Sequence, residues 1–157
     1  MNKLLVAHII IPVQHGKLIA NLVLVRKRNG NIRLCIDLRN VNRASKKDNY
    51  HVPPMEQSLQ KVARSEMFSL LDGFSGYNQV LVSHNDQVST SFKTPWVTCA
   101  YRKMPFGLIN VGDTFQRAMD ITFRGLTNEC VVVYLDDVTV YSKKRSDHVK
   151  HLRKIFE

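Results

Sequence analysis

The chain has 157 residues, enough for one domain with a real core and short for two, and 44% of them are hydrophobic, as in ordinary globular proteins. No apolar segment reaches the length of a membrane span, so no membrane partner is expected. Lys and Arg number 23 against 13 acidic residues, a formal charge of +10, which suits a polyanionic partner such as nucleic acid as well as it suits a basic protein that merely stays soluble.

Leu4 to Val13 is apolar, but His8 interrupts it, Pro12 closes it and no small-x-small cleavage site follows. It reads as a short helix end leading into an extended segment rather than a signal peptide. Leu18 to Val25 is strand-like, the Asn29-Gly30 pair predicts a basic hairpin turn, and Ile32 to Asp37 returns as a strand. Asn40 to Tyr50 is polar and basic and reads as a loop, after which Pro53-Pro54 opens a helix from Met55 to about Ala63. Met67 to Leu71 is a strand that delivers Asp72, and Ser75 to about Val80 a short helical turn.

Val88 to Phe92 and Val97 to Arg102 are expected to form a hairpin across Thr94-Pro95-Trp96. Pro105-Phe106-Gly107 reads as a turn before a helix from about Val111 to Phe123, with Phe115, Met119 and Ile121-Thr122-Phe123 toward the core. Val131 to Val133 and Val138 to Tyr141 are apolar β-branched runs joined by Tyr134-Leu135-Asp136-Asp137: strand, tight acidic turn, strand. Ser146 or Asp147 is expected to cap a last helix that still runs at Glu157, an end that suggests a piece of something longer. Strands and helices interleave without strict βαβ regularity, so the predicted class is α+β, in one continuous unit.

Cys35, Cys99 and Cys130 are odd in number and widely spaced, which suggests buried thiols in a reducing compartment. His148 and His151 share one side of the last helix without a third ligand nearby, so a solvated face is expected there. The acidic turn asks for more. Adjacent carboxylates in a tight hairpin repel one another unless a cation offsets them, and a divalent metal handling phosphate chemistry would do so. Asp72 alone reads as a turn residue before Gly73. If its strand neighbours the acidic hairpin, Asp72, Asp136 and Asp137 converge at one rim and could bridge a pair of Mg²⁺ ions about 4 Å apart.

The chain resembles the fingers-palm portion of a reverse transcriptase, specifically the Gypsy-type (Metaviridae) class of LTR retrotransposons. The resemblance rests on ordered blocks across most of the chain: Asn21-Leu22-Val23, Val25-Arg26-Lys27, Arg33 to Asn42, Ser69 to Tyr77, Thr94-Pro95-Trp96, Met104 to Leu108, Thr114 to Met119 and Tyr134 to Asp137. It implies a palm with an antiparallel sheet and helices on one face, plus partial fingers, with 1–66 and 86–105 fingers-like and the remainder palm. It also implies RNA-directed DNA polymerase activity on an RNA or DNA template-primer with deoxynucleoside triphosphates, two Mg²⁺ ions (Mn²⁺ as substitute), and work in a virus-like particle in the cytoplasm or in the nucleus. The thumb, connection and RNase H regions of a Pol polyprotein are not among these residues, so activity of this chain alone is conditional.

By resemblance Asp72, Asp136 and Asp137 are the catalytic metal ligands, with the Gly73 carbonyl as a further one. Lys27 and Arg33 would face the triphosphate, and the amides of Phe74 and Ser75 its oxygens. Tyr77 would exclude the ribose 2′-hydroxyl, while Phe106 and Gly107 would lie near the nucleotide and template base. Asp37, Arg39 and Asn42 are assigned structural roles, the first two sharing one face of a strand. Arg43, Lys46, Lys47 and Arg102 are candidate phosphate contacts or plain solvated surface. Three positions depart from the family habit. Val97 stands where glycine is usual and a positive-φ turn would be awkward for it; Asp113 replaces a small residue; Pro54 replaces a polar one. The missing thumb and the changes at Val97 and Asp113 favour the competing reading, a non-catalytic remnant that at most binds nucleic acid, whereas the intact Asp72, Asp136 and Asp137 favour the polymerase. A metal-dependent nuclease fits the carboxylates but neither Tyr77 nor the fingers blocks.

Overall fold

The computed structural model describes residues 1–73 and 75–157, and of Arg33 the backbone only. In chain order the elements are α1 (Asn2–Val6), β1 (Ile10–Pro12), β2 (Leu22–Arg26), β3 (Ile32–Ile36), α2 (Arg39–Ala44), α3 (Met55–Val62), β4 (Met67–Asp72), α4 (His84–Gln87), β5 (Phe92–Lys93), β6 (Thr98–Tyr101), α5 (Val111–Thr122), β7 (Val131–Tyr134), β8 (Asp137–Ser142) and α6 (His148–Phe156). The named strands pair antiparallel, and the class is α+β as expected. No described helix is long and apolar enough to cross a membrane. The chain divides into two compact units, each made of two segments: Met1–Lys47 with Tyr77–Val111, and Asp48–Gly76 with Gly112–Glu157.

The first unit holds the sheet β1-β6-β5 around a core of Ile10, Ala20, Leu38, Val41, Phe92 and Cys99. The β2-β3 pair forms a separate ribbon whose turn is closed by Lys27 N–H to the Asn31 carbonyl at 2.7 Å, with Gly30 at φ 82°. Extended pairing starts at Leu22 rather than Leu18, because Ala20 instead makes an isolated bridge to Phe92. The expected loop at 40–50 is a helix, α2, over its first part. Arg39–Ala44 contains neither glycine nor proline, and Val41 is buried in the core. Asp37 and Arg39 do not share a strand face either. The Asp37 carboxylate accepts the Arg39 backbone N–H at 3.2 Å and its guanidinium at 2.8 and 2.6 Å, just where the strand ends and the helix begins. The expected strand Val88–Phe92 is extended only at its end, since Val88–Thr90 winds into a 3-10 turn. There the Thr90 and Ser91 hydroxyls donate back to the Gln87 and Val88 carbonyls, each at 2.7 Å, a competition with strand pairing that such residues often win.

The second unit holds the sheet β4-β8-β7. Along β4 the side chains alternate: Met67, Ser69 and Leu71 are partly buried, while Phe68, Leu70 and Asp72 are exposed. Leu71 joins Val131, Val133 and Val138 against Met119, Phe123 and Ile155, so α5 and α6 cover the same sheet face. The helix α3 lies along β7. In α5, Phe115 and Gln116 are buried and Met119 reaches the core, as does Phe123 just past the helix end, but Ile121 is 62% exposed and Thr122 is exposed beside it. Consecutive residues at a helix end cannot all share one face, which corrects the expectation for Ile121 and Thr122. Ahead of α6, Arg145–Asp147 forms a 3-10 turn, and Asp147 at the helix start makes no side-chain cap bond. His148 is no solvated residue. It is 1% exposed, with Nε2 2.9 Å from Ser69 Oγ and Nδ1 2.9 Å from Ser142 Oγ, and His151 Nδ1 meets the same Ser142 oxygen at 2.7 Å. Serines on two adjacent strands draw the two imidazoles onto the sheet.

Candidate active site

The register of β4 against β8 ends with Asp72 directly opposite Asp137. Residues so paired project to the same face with Cβ atoms about 4.5–5.5 Å apart. That face is the one α5 and α6 leave open, and both carboxylates are exposed on it. Asp136 precedes Asp137 in the turn after β7, which pairs with β8 through Tyr134 opposite Asp137. The chain leaving β4 runs beside that turn, since a Cβ placed on Gly73 would lie 3.6 Å from the Asp136 carbonyl oxygen. A groove of about 350 Å³, lined among others by Leu59, Leu70, Asp72, Tyr134 and Asp137, follows the same surface. The sheet therefore brings Asp72, Gly73, Asp136 and Asp137 together.

Like charges directly opposite on a sheet are destabilising, so this rim favours a bound cation. Among the described residues no three His, Cys, Asp or Glu side chains close around one point, so there is no ready-made protein cage. The acidic rim still fits the hard divalent ions that take one or two carboxylates and leave their other positions to water and substrate phosphates. The Gly73 carbonyl accepts the Gly76 N–H at 2.8 Å and retains a lone pair. Ser75 and Leu135, at φ 51° and 56°, are two non-glycine residues in the left-handed region, one on each side of the rim. Phe74 and the Arg33 side chain, both expected at the nucleotide, lie outside the described residues.

The remaining expected nucleotide contacts belong to the first unit. Lys27 is exposed in the turn of the β2-β3 ribbon. Tyr77 meets Phe106 edge-on, with ring centroids 5.4 Å apart at 78°, and Phe106 is 78% exposed. Gly107 turns at φ 101° and is clamped by Asn42, whose Nδ2 donates to the Gly107 carbonyl at 2.8 Å while its Oδ1 accepts the Ile109 N–H at 2.9 Å. Asn42 thus has the structural role expected of it. Arg43, Lys46, Lys47 and Arg102 are exposed.

Two of the unusual positions find ordinary explanations. Val97 is not among the positive-φ residues, because the Thr94 hydroxyl closes the turn by donating to the Val97 carbonyl at 2.6 Å and accepting the Val97 N–H at 3.0 Å. Asp113 lies in the first turn of α5, where a carboxylate complements the helix dipole. Sequence reasoning passed over Gln116, which is fully buried and bonded to the acidic turn. Its signal was a polar residue beside Phe115, on the apolar side of α5 that also carries Met119 and Phe123.

The family model described as reverse transcriptase (RNA-dependent DNA polymerase) matches residues 25–157. The chain belongs to the reverse transcriptase family. It is 36% identical over 124 residues to the retrovirus-related Pol polyprotein from transposon gypsy of Drosophila melanogaster, covering 79% of this chain and 12% of that protein. It is also 36% identical over 129 residues to an RNA-directed DNA polymerase homolog of Oenothera berteroana, covering 80% of this chain and 91% of that one. These relatives support a Gypsy-type reverse transcriptase segment. In fold it is similar to the foamy viral protease-reverse transcriptase solved in complex with RNA/DNA hybrid, with a TM-score of 0.86 at 21% identity, over 99% of this chain and 20% of that one. Reverse transcriptases generally use divalent metal ions, which agrees in kind with the acidic rim.

Proposed function

We propose that this segment is the fingers-palm portion of an RNA-directed DNA polymerase that extends a primer 3′-hydroxyl with deoxynucleotides, and that it needs further parts of a Pol polyprotein for full activity. The observation that carries the reading is Asp72 in register with Asp137, beside Asp136 in the turn. In this reading the three carboxylates hold two Mg²⁺ ions, with Mn²⁺ as substitute and the Gly73 carbonyl as a further ligand. When bound, such ions neutralise the triphosphate and make the 3′-hydroxyl a better nucleophile. Asp72 and Asp137 orient that charge on the open sheet face. The Phe74 and Ser75 amides donate to phosphate oxygens, and Lys27 and Arg33 add cationic donors for the same group. Tyr77, braced by Phe106, excludes a 2′-hydroxyl, while Phe106 and Gly107 seat the base. The fingers role of 1–66 and 86–105 and the palm role of the rest belong to the same proposal. So does an intracellular setting, in a virus-like particle or the nucleus, which suits three free cysteines.

The direct test is primer extension on an RNA template with Mg²⁺, comparing this chain with Asp136→Asn. Removing one charge from the rim should reduce extension by at least about 10²-fold, the usual scale for losing one preorganised electrostatic contact. Equal extension by the two proteins would overturn the assignment. Salt-sensitive nucleic-acid binding without extension would favour the remnant reading.

A further inference from the structure

We infer that Gln116 is the positioning residue of the acidic turn, holding Leu135, and through it Asp136, in the conformation the site requires. Gln116 is fully buried in α5. Its Oε1 accepts the Leu135 backbone N–H at 2.9 Å, and its Nε2 donates to Asp120 Oδ1 at 3.1 Å and to the Val133 carbonyl at 3.4 Å. The amide can point only one way. A backbone N–H must face its oxygen, while a carboxylate and a carbonyl must face its NH₂. Asp120 is fixed in turn by the Tyr50 hydroxyl, which donates to Oδ2 at 2.7 Å. The ring of Tyr50 is covered by the Arg117 guanidinium at 4.6 Å, and Arg117 is held by Asp48 at 2.6 Å.

Leu135 is the residue that needs holding. At φ 56° it occupies backbone space that L residues with a branched side chain avoid, and such a conformation persists only where the surroundings over-determine it. The bond from Leu135 N–H to Gln116 reaches the turn from the helix side of the sheet. It fixes the Tyr134–Leu135 peptide, one residue ahead of Asp136, without touching the open face. Gln116 therefore acts through the backbone and not on the reacting atoms. This inference rests on the proposed role of Asp136, but its physical content is independent of polymerisation.

The test is amide hydrogen exchange of the whole chain, read by NMR at Leu135 with Thr139 and Val140 of β8 as internal controls. Gln116→Met keeps the volume and removes the bonds. The Leu135 amide should then exchange about tenfold faster or more, the scale of one lost hydrogen bond, while the β8 amides stay protected. Tyr50→Phe, at a less buried position, frees Asp120 Oδ2 and should accelerate Leu135 by a smaller factor, about two- to fivefold. Leu135 exchange within twofold of the parent chain in a folded Gln116→Met protein overturns the inference. Should Gln116→Met fail to fold, Tyr50→Phe decides by the same comparison. Extension that Asp136→Asn abolishes but Gln116→Met leaves intact also overturns it, and leaves the polymerase reading standing. Absence of extension from the parent chain strikes that reading alone, because exchange at Leu135 still decides the role of Gln116.

Discussion

Placing a methyl group on Gly76 tests the turn that carries the chain away from Asp72. A Cβ there would come within 2.7 Å of Phe115 Cζ and 3.0 Å of Cε2. Phe115 is 2% exposed, so its ring has no solvent to swing into, and either the ring or the turn must move. Overpacking of this kind costs about 1–3 kcal/mol, and two contacts this short against an enclosed ring place it near the top of that range. Alanine also restricts the unfolded chain, which returns about 0.4–1 kcal/mol. The net expectation for Gly76→Ala is a loss of about 2 kcal/mol, or a Tm lower by roughly 4–8 °C in a chain of this size. Because the Gly76 N–H donates to the Gly73 carbonyl at 2.8 Å, the strain falls on the stretch next to Asp72, and extension activity should fall as well. Thermal and urea unfolding measure the loss, and Phe115→Leu in the same background should recover part of it as a coupling of about 0.5–3 kcal/mol. Gly76→Ala as stable as the parent chain, or a loss that Phe115→Leu leaves untouched, would refute the reasoning.

Tyr77→Ala should raise ribonucleotide incorporation relative to deoxynucleotide by roughly tenfold, the worth of a modest pocket contact; unchanged sugar selectivity would remove Tyr77 from the gate role. The Arg39 guanidinium and amide hold the Asp37 carboxyl down at about 2, from 3.8. A carboxyl lowered by folding contributes stability that is present above its unfolded value and is lost as pH falls toward 2. Carboxyl NMR should show that depressed titration, with Arg39→Ala raising it part of the way toward the ordinary range because the backbone N–H bond remains; an identical midpoint in the variant would dismiss the ion pair. Ser142→Ala removes the hydroxyl shared by His148 and His151 and should cost about 1–3 kcal/mol in urea unfolding, because His148 is buried. A loss below about 0.5 kcal/mol would mean that the Ser69 contact suffices for His148.

Much of this protein is local and therefore legible in its residues. Alternation in β4, the Asn29-Gly30 turn, Pro54 ahead of α3 and the apolar runs about the acidic turn each act over a few neighbours, and each forms at the place their pattern indicates. Asp72, Asp136 and Asp137 stood out for the same reason: carboxylates at strand ends are conspicuous without any knowledge of packing. What failed locally failed by competition. Asn40 onward looked like a loop because its residues are polar, yet the burial of one side chain, Val41, accompanies a helix there. Val88–Thr90 looked like a strand, but hydroxyls folding back on the backbone belong to a 3-10 turn.

Only the tertiary structure decided which residues from distant parts of the chain would meet. Strand order β4-β8-β7 set Asp72 against Asp137, and no pattern within either segment contains that pairing. The same holds for His148, whose partners Ser69 and Ser142 lie on two strands, and for Gln116, whose bond to Leu135 spans 19 positions. A polar side chain in a sequence window is solvated by default. Once packing removes water from it, it must find a partner, and the partner it finds is a property of the fold.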